Sequence, residues 1–281
     1  MKLVCHVMAS CMMILSMCAG AKAETLTIPG AGNPEYVLGQ LAHAFNSSQS
    51  QHKVVVPETV GTAGALRAIA DETATLARVG RPLKESERTG GIIYSPLGRD
   101  PVVFAAGSGV AVGPVTMAQM LDVYSGRLTN WQELGGSPGA IRAIGREVTD
   151  SSSLTIGQAV KAFLDMNLYE GVKVVHLDSQ MIALLDRFPT SLGFLNRSAL
   201  SAAKTKLVLL VLDSMELNAE SIESGRYPFI MEFGLIYKEG SLTEAGREFM
   251  QFIKSPEGER VLRMHGVVPA APVQSAARAG Q

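Results

Sequence analysis

Ile144-Gly145-Arg146-Glu147-Val148-Thr149-Asp150-Ser151-Ser152-Ser153 leads straight into a helical pattern, Leu154 to Leu164. The residues from Ala140 to Gly145 read as a strand, so the quoted stretch is a strand-to-helix turn. A helix start leaves backbone N–H groups unpaired and carries the positive end of the helix dipole. Three hydroxyls and an arginine at that point make a place for an anion. Asp150 or one serine acting only as an N-cap would explain the same letters. The choice between the two turns on whether such a turn recurs.

It recurs twice nearer the N-terminus. Thr25 to Ile28 alternates like a strand and ends in Pro29-Gly30-Ala31-Gly32-Asn33-Pro34, after which Val37, Leu38, Leu41, Ala42 and Phe45 mark a helix over Glu35 to Asn46. Lys53 to Pro57 is a β-branched strand, Val60-Gly61-Thr62-Ala63-Gly64 a second small-residue turn, and Ala65 to Ala70 the start of a helix. Glycine at these turns lets backbone amides approach a ligand. The next loop, Ala77-Arg78-Val79-Gly80-Arg81-Pro82-Leu83, sets an arginine on each side of a glycine, and a surface helix is expected over Lys84 to Arg88. Arg81, before a proline, is biased to extended backbone.

Further strands are expected at Pro101 to Ala106, Val172 to Leu177, Ser191 to Leu195, Val208 to Leu212 and Tyr227 to Ile230. Thr116-x-x-Gln119 opens a helix as a capping box, and two helices, Thr243 to Ile253 and Pro256 to His265, close the chain. Trp131 reads as a packing anchor. Strands alternating with helices predict an α/β protein with mostly parallel sheets. Ligands in such sheets sit at the carboxyl ends of strands, so one cleft can gather all three turns.

Met1 to Ala23 has the marks of a cleavable secretory signal: Lys2, an apolar run to Cys18, and Ala21-Lys22-Ala23 as a small-x-small site. A lipoprotein signal would use Cys18, but Met17 is large for that role. All three cysteines lie within this segment, so the expected mature chain has neither a disulfide nor a cysteine-based metal site. Loss of Lys2 and Lys22 leaves 23 basic against 26 acidic residues, a net charge of −3. That balance gives no field for nucleic acid or an anionic membrane, so any anion is bound by local geometry. His43, His52, His176 and His265 are scattered, with no H-x-x-x-H pair and no G-x-S-x-G. The chain is therefore expected to be neither an enzyme nor a metal or cofactor protein.

Asp122-Val123-Tyr124-Ser125-Gly126-Arg127-Leu128-Thr129-Asn130-Trp131 resembles the I-F-x-G-x-I-T-N-W signature of the periplasmic phosphate-binding proteins of ABC transporters. Other segments fall in the same order. Gly61-Thr62-Ala63-Gly64 stands for G-S-G-x-G, Arg78 to Leu83 for G-S-D-x-P-L, Arg146 to Ser153 for R-x-D-G-S-G-T, Leu192-Gly193-Phe194 for I-G-Y, and Ser255-Pro256-Glu257-Gly258 for S-P-E-G-Q. The resemblance implies a two-lobed type II periplasmic binding protein, each lobe a mostly parallel sheet flanked by helices, with a two-strand hinge. Lobe I would comprise residues 24–105 and 224–281 and lobe II residues 106–223, with crossings near Val102 to Ala106 and Tyr227 to Ile230.

It further implies a monomeric periplasmic protein that captures an inorganic oxyanion, phosphate first, for an ABC permease in the inner membrane. Another oxyanion, a small carboxylate, or a sensor or adhesin reusing the fold are the alternatives. The implied ligand residues are Gly32, Asn33, Thr62, Ala63, Arg81, Arg146, Ser151, Ser152 and Ser153, with the choice among the three serines open. Two departures stand out. The acid of S-D-x-P-L is absent, with Arg81 read in its place, and the Arg146 loop is about one residue longer than the family's. An inward Arg81 would add a forked donor suited to a fully ionised oxyanion. Facing solvent or pairing with Glu85 is the other expectation.

Overall fold

A computed structural model describes residues 23–271, so the expected signal peptide lies outside the described residues except for Ala23. Strand β1 (Glu24–Thr27) pairs in parallel with β2 (His52–Val55), and helix α1 (Glu35–Ser48) connects them. Five residues of α1, from Val37 to Phe45, are buried at the expected helical spacing, and Phe45 packs edge-on against Phe249 and Phe252. Helix α2 spans Gly61–Ala70, four residues earlier than the apolar pattern predicts. The glycine-rich turn is thus the first turn of the helix itself. Strand β3 (Ala77–Val79) follows, tied to the first unit by a parallel bridge from Gly30 to Arg78.

The structure is then carried by one long strand, β4 (Ile92–Ala106), of which only the last six residues were expected. Pro96 and Pro101 hide the rest from a propensity reading, since each removes a ladder donor. A register shift between Pro96 and Gly98 accommodates the first proline. Helix α3 (Met117–Tyr124) is capped as expected: Gln119 N–H donates to Thr116 Oγ1 at 3.1 Å, and Gln119 Oε1 accepts the Thr116 N–H at 2.7 Å. Trp131 is buried, and its indole N–H donates to the Thr190 carbonyl at 2.9 Å, the anchor role read from the sequence.

Strand β5 (Arg142–Arg146) delivers the chain to α4 (Ser151–Ala159), and α5 (Lys161–Asp165) follows after a break at Val160. A single helix to Leu164 was expected; instead α5 folds back until the Leu164 side chain fills the space beside Gly157, where a Cβ would meet it at 2.0 Å. Next come β6 (Lys173–Val175), α6 (Asp178–Arg187), β7 (Ser191–Asn196), β8 (Val208–Leu209), α7 (Ala219–Glu223), β9 (Ile230–Lys238), α8 (Glu244–Ile253), α9 (Pro256–Met264) and β10 (Val268–Pro269). The helix expected over Lys84 to Arg88 is a single 3-10 turn, Glu85–Glu87.

Eight strands form one sheet in the order β3-β9-β4-β7-β5-β6, with β8 and β10 also on β4. The α/β class with helix-flanked sheets is as expected, but mostly parallel pairing is not: the long strands β4 and β9 that carry the middle of the sheet run antiparallel to every strand they pair with. β5 pairs in parallel with β6 and β7, whereas the pairs made by β4 and β9 are antiparallel. β4 changes partner along its length: Ile92 to Pro101 pairs with β9 and Val102 to Ala106 with β7. Phe104, Tyr124, Phe163 and Phe194 pack as an aromatic cluster beside that second half. Among the described residues no helix is long and apolar enough to cross a membrane.

Candidate functional site

The starts of α1, α2 and α4 converge on one cleft of about 1290 Å³. Gly32 and Asn33 line it before α1, Gly61 and Thr62 on α2, Asp150 and Ser151 at α4, with Gly80, Arg81 and Arg146 between them. The N-cap residues of α1 and α2, Pro34 and Val60, give no side-chain hydrogen bond. Among the described residues only the first N–H of each helix is taken, Glu35 by the Gly32 carbonyl at 2.9 Å and Gly61 by Thr59 Oγ1 at 3.1 Å. The first N–H groups of a helix have no intrahelical acceptor, so these two starts face the cleft with donors to offer. α4 is different: Asp150 caps it by accepting the Ser152 N–H at 2.9 Å.

Arg78, which the sequence left without a role, holds the first wall in place. It is fully buried, donating from Nε to the Ala31 carbonyl at 2.7 Å, from Nη1 to Ile28 at 2.5 Å, and from Nη2 to Pro57 at 2.8 Å and Glu35 at 2.9 Å. One guanidinium thereby satisfies three turn carbonyls and an acid at the start of α1. Gly30 permits this: its φ is +145°, and a Cβ there would lie 1.9 Å from the Arg78 carbonyl oxygen. Burial depresses the Arg78 pKa against the pull of Glu35, while burial raises that of Glu35 against the pull of Arg78.

Arg146 is also buried. Its Nη1 donates to Asp178 at 2.5 Å and its Nη2 to Asp150 at 2.6 Å and to the His176 carbonyl at 3.1 Å, while Nε–H has no partner. The two acids fix the guanidinium plane, and the unmatched donor sits on a residue that lines the cleft. Burial pushes the Asp178 carboxyl above its ordinary range, with Arg146 pulling it down and Asp150 adding to the rise.

The serines separate. Ser151 lines the cleft opposite Gly80, where a Cβ would lie 3.5 Å from Ser151 Oγ and 3.8 Å from Asn33 Oδ1. Ser152 is buried, its Oγ accepting from Asn33 Nδ2 at 3.0 Å and donating to Asn196 Oδ1 at 3.3 Å. Asn33 Nδ2 also donates to Asn196 Oδ1 at 3.0 Å, so Asn33 joins the first turn to β7. Ser153 is buried beneath the turn. Ala63 lies at the third position of α2, and its side chain does not line the cleft.

Arg81 lines the cleft mouth but is engaged with Glu87, not Glu85: Nη1 and Nη2 each donate to a Glu87 carboxylate oxygen at 2.7 Å. Hydrogen bonds from Arg81 hold the Glu87 carboxyl down at about 2, and Glu87 raises the Arg81 pKa. The loop also corrects one expectation. Counted back from Pro82 and Leu83, S-D-x-P-L sets its acid on Gly80 and its variable position on Arg81. The residue that departs from the pattern is therefore Gly80, which lines the cleft opposite Ser151.

Glu35, Glu58, Asp150, Asp178 and Glu232 line the cleft against Arg81, Lys84 and Arg146. His176, also in the lining, is exposed and sits 3.1 Å from Glu147. Any preference for an anion comes from helix starts and placed donors, because the surrounding charge opposes it.

A family model described as PBP superfamily domain matches residues 19–257. The phosphate-binding protein PstS 2 of Streptococcus agalactiae is 27% identical over 143 residues, covering 47% of each chain, so this chain spans about half the length of that relative. PstS of Bacillus subtilis is 26% identical over 178 residues, covering 60% of this chain and 57% of its own. A Clostridium perfringens protein crystallised with bound phosphate, assigned as a phosphate ABC transporter substrate-binding protein, superposes with a TM-score of 0.72 at 20% identity. The match covers 88% of this chain and all of that one.

Proposed function

The chain belongs to the PBP superfamily, and from that premise we propose that it is a solute-binding protein whose cleft captures an inorganic oxyanion, phosphate first, for an ABC importer. The observation that carries this is the meeting on one cleft of two helix starts whose N-cap residues leave their N–H groups uncapped, with Ser151 and Arg146, whose buried Nε–H has no partner, in the lining. Such donors serve an oxyanion through backbone and charge-assisted hydrogen bonds. The names of the Streptococcus and Bacillus relatives point to phosphate among the oxyanions.

Of the residues proposed from the sequence, Gly32, Asn33, Thr62, Arg81, Arg146 and Ser151 line the cleft. In this reading Thr62, Ser151 and Arg146 donate directly, Ala63 through its N–H, while Ser152 and Ser153 hold the turn. In the same reading residues 24–105 and 224–271 form lobe I and residues 106–223 lobe II; residues 272–281, also expected in lobe I, lie outside the described residues. The change of partner on β4 at Pro101 to Val102, and the start of β9 at Ile230, support crossings there. Export by cleavage after Ala23, a periplasmic location, a monomeric state and a permease partner complete the reading.

The cleft volume favours a second reading, an oxyanion or carboxylate carried on a small organic body. A thermal scan against phosphate, arsenate, sulfate, molybdate and small carboxylates tests both. A ligand that binds only the folded form at one hundred times its dissociation constant adds about 2.7 kcal/mol, a shift of a few degrees for a chain this long. No shift with any of them ends the oxyanion reading.

A further inference from the structure

His52 opens β2 with 4% of its surface exposed, and neither Nδ1 nor Nε2 has a hydrogen-bond partner. A buried imidazole with both nitrogens unmatched is costly and calls for something to accept its lone pair or its proton. Nε2 faces Glu248 Oε2 at 3.7 Å, beyond hydrogen-bond reach. Glu244 lies one turn earlier on α8, and residues four apart on a helix share a face. One ligand atom from each of the three lies within 4.8 Å of the other two.

We propose that His52, Glu244 and Glu248 bind a divalent cation of the zinc class. A neutral imidazole with two carboxylates cancels a double positive charge and leaves a fourth tetrahedral position for water. Magnesium and calcium prefer all-oxygen sets, so the imidazole argues against them. Bonds of about 2.0–2.2 Å bring tetrahedral ligand atoms to roughly 3.5 Å apart. Glu244 is exposed and Glu248 partly so, and both have the side-chain freedom to close that distance on a fixed His52.

The surroundings hold the site's two halves together. Glu24 pairs in register with His52 across β1 and β2, and its carboxylate accepts the Ala245 N–H at 3.4 Å. An ion here staples an early strand to a late helix. None of the three residues lines the oxyanion cleft, so the ion adds stability without entering ligand chemistry.

The test is calorimetric titration of tag-free protein with zinc chloride alone. The expected result is one equivalent bound with micromolar or tighter affinity, and a rise in melting temperature that magnesium at equal concentration does not give. A Glu244→Gln/Glu248→Gln double variant keeps His52 and the core, so circular dichroism should show it folded. Its zinc affinity should fall by at least roughly tenfold, the loss that removal of an outer partner alone can cause. Cobalt should give the visible absorption of a four-coordinate nitrogen–oxygen site in the parent and lose it in the variant. Absence of saturable binding overturns the proposal, as does undiminished binding in the double variant, which would put the ion elsewhere, for example at the exposed His176 and Glu147 pair.

Discussion

Gly80→Asp puts a carboxylate where the family pattern carries one, and the local geometry admits it. Gly80 is outside the set of glycines held at positive φ. A Cβ there meets Ala31 Cβ and Ser151 Oγ at 3.5 Å, ordinary contact distances. The carboxyl oxygens, further out along that vector, lie beside Ser151 and Asn33, next to any oxyanion held by Ser151. Two unit negative charges about 4 Å apart at an effective dielectric near 20 repel by about 4 kcal/mol. A ligand that still carries a proton replaces that repulsion with a charge-assisted hydrogen bond, whereas a fully ionised one cannot. Sulfate affinity should therefore fall by about a hundredfold to a thousandfold, phosphate affinity by less than about tenfold, and the wild type should discriminate poorly between them. Competition titrations of both anions on wild type and variant, at neutral pH, measure the ratio. An unchanged sulfate affinity, or an equal fall for both anions, refutes the placement of the ligand beside Gly80.

Arg146→Lys keeps the charge but loses the fork that Asp150 and Asp178 hold, so oxyanion affinity by calorimetry should drop roughly tenfold to a hundredfold. Arg81→Ala should change affinity less than about twofold, since its guanidinium is committed to Glu87; a larger loss in the same titration would put Arg81 on the ligand. Arg78→Met strands three turn carbonyls and Glu35, so the urea midpoint should correspond to a loss of about 3–5 kcal/mol. Asp100, buried with its carboxyl accepting from Ser198 N–H and Oγ–H, has its pKa pushed up to about 7 by burial. The folded state then holds a proton that the unfolded state releases near its ordinary value, so this stabilisation is full at low pH and is lost as pH rises toward 7. Asp100→Asn should flatten the urea midpoint between about pH 4 and pH 7.

Periodicity carried α1, α3, α8 and α9 because each buries one face, as α1 does with Val37, Leu38, Leu41, Ala42 and Phe45. It gave no sign of α6 or α7, and it set an extended run at Tyr227 to Ile230 where β9 covers Ile230–Lys238. It failed where tertiary packing overrides local signal. The prolines of β4 look like breaks, yet β9, β7 and β8 supply the pairing that keeps the strand going through them. The helix expected to run from Leu154 to Leu164 breaks at Val160 because Gly157 leaves room for Leu164 to pack back, an event no one-dimensional period records.

The candidate site shows the same division at the level of single side chains. Its three strand-to-helix turns were legible because glycines, hydroxyls and strand ends are local features, although α2 begins within its turn and not after it. The roles of the charged residues were not, since each is set by a partner distant in space. Two arginines bracket Gly80, and their letters are interchangeable. Arg78 points inward and is spent on backbone carbonyls; Arg81 points to the rim and is spent on Glu87. Neither is left to define specificity, so the discriminating position moves to the residue between them, which has no side chain. A site surrounded by five acids can then reject an ion only through the groups it places next to that ion. In the proposed reading the position next to it is Gly80, and the selectivity of the cleft should follow from that missing side chain more than from any charge the cleft contains.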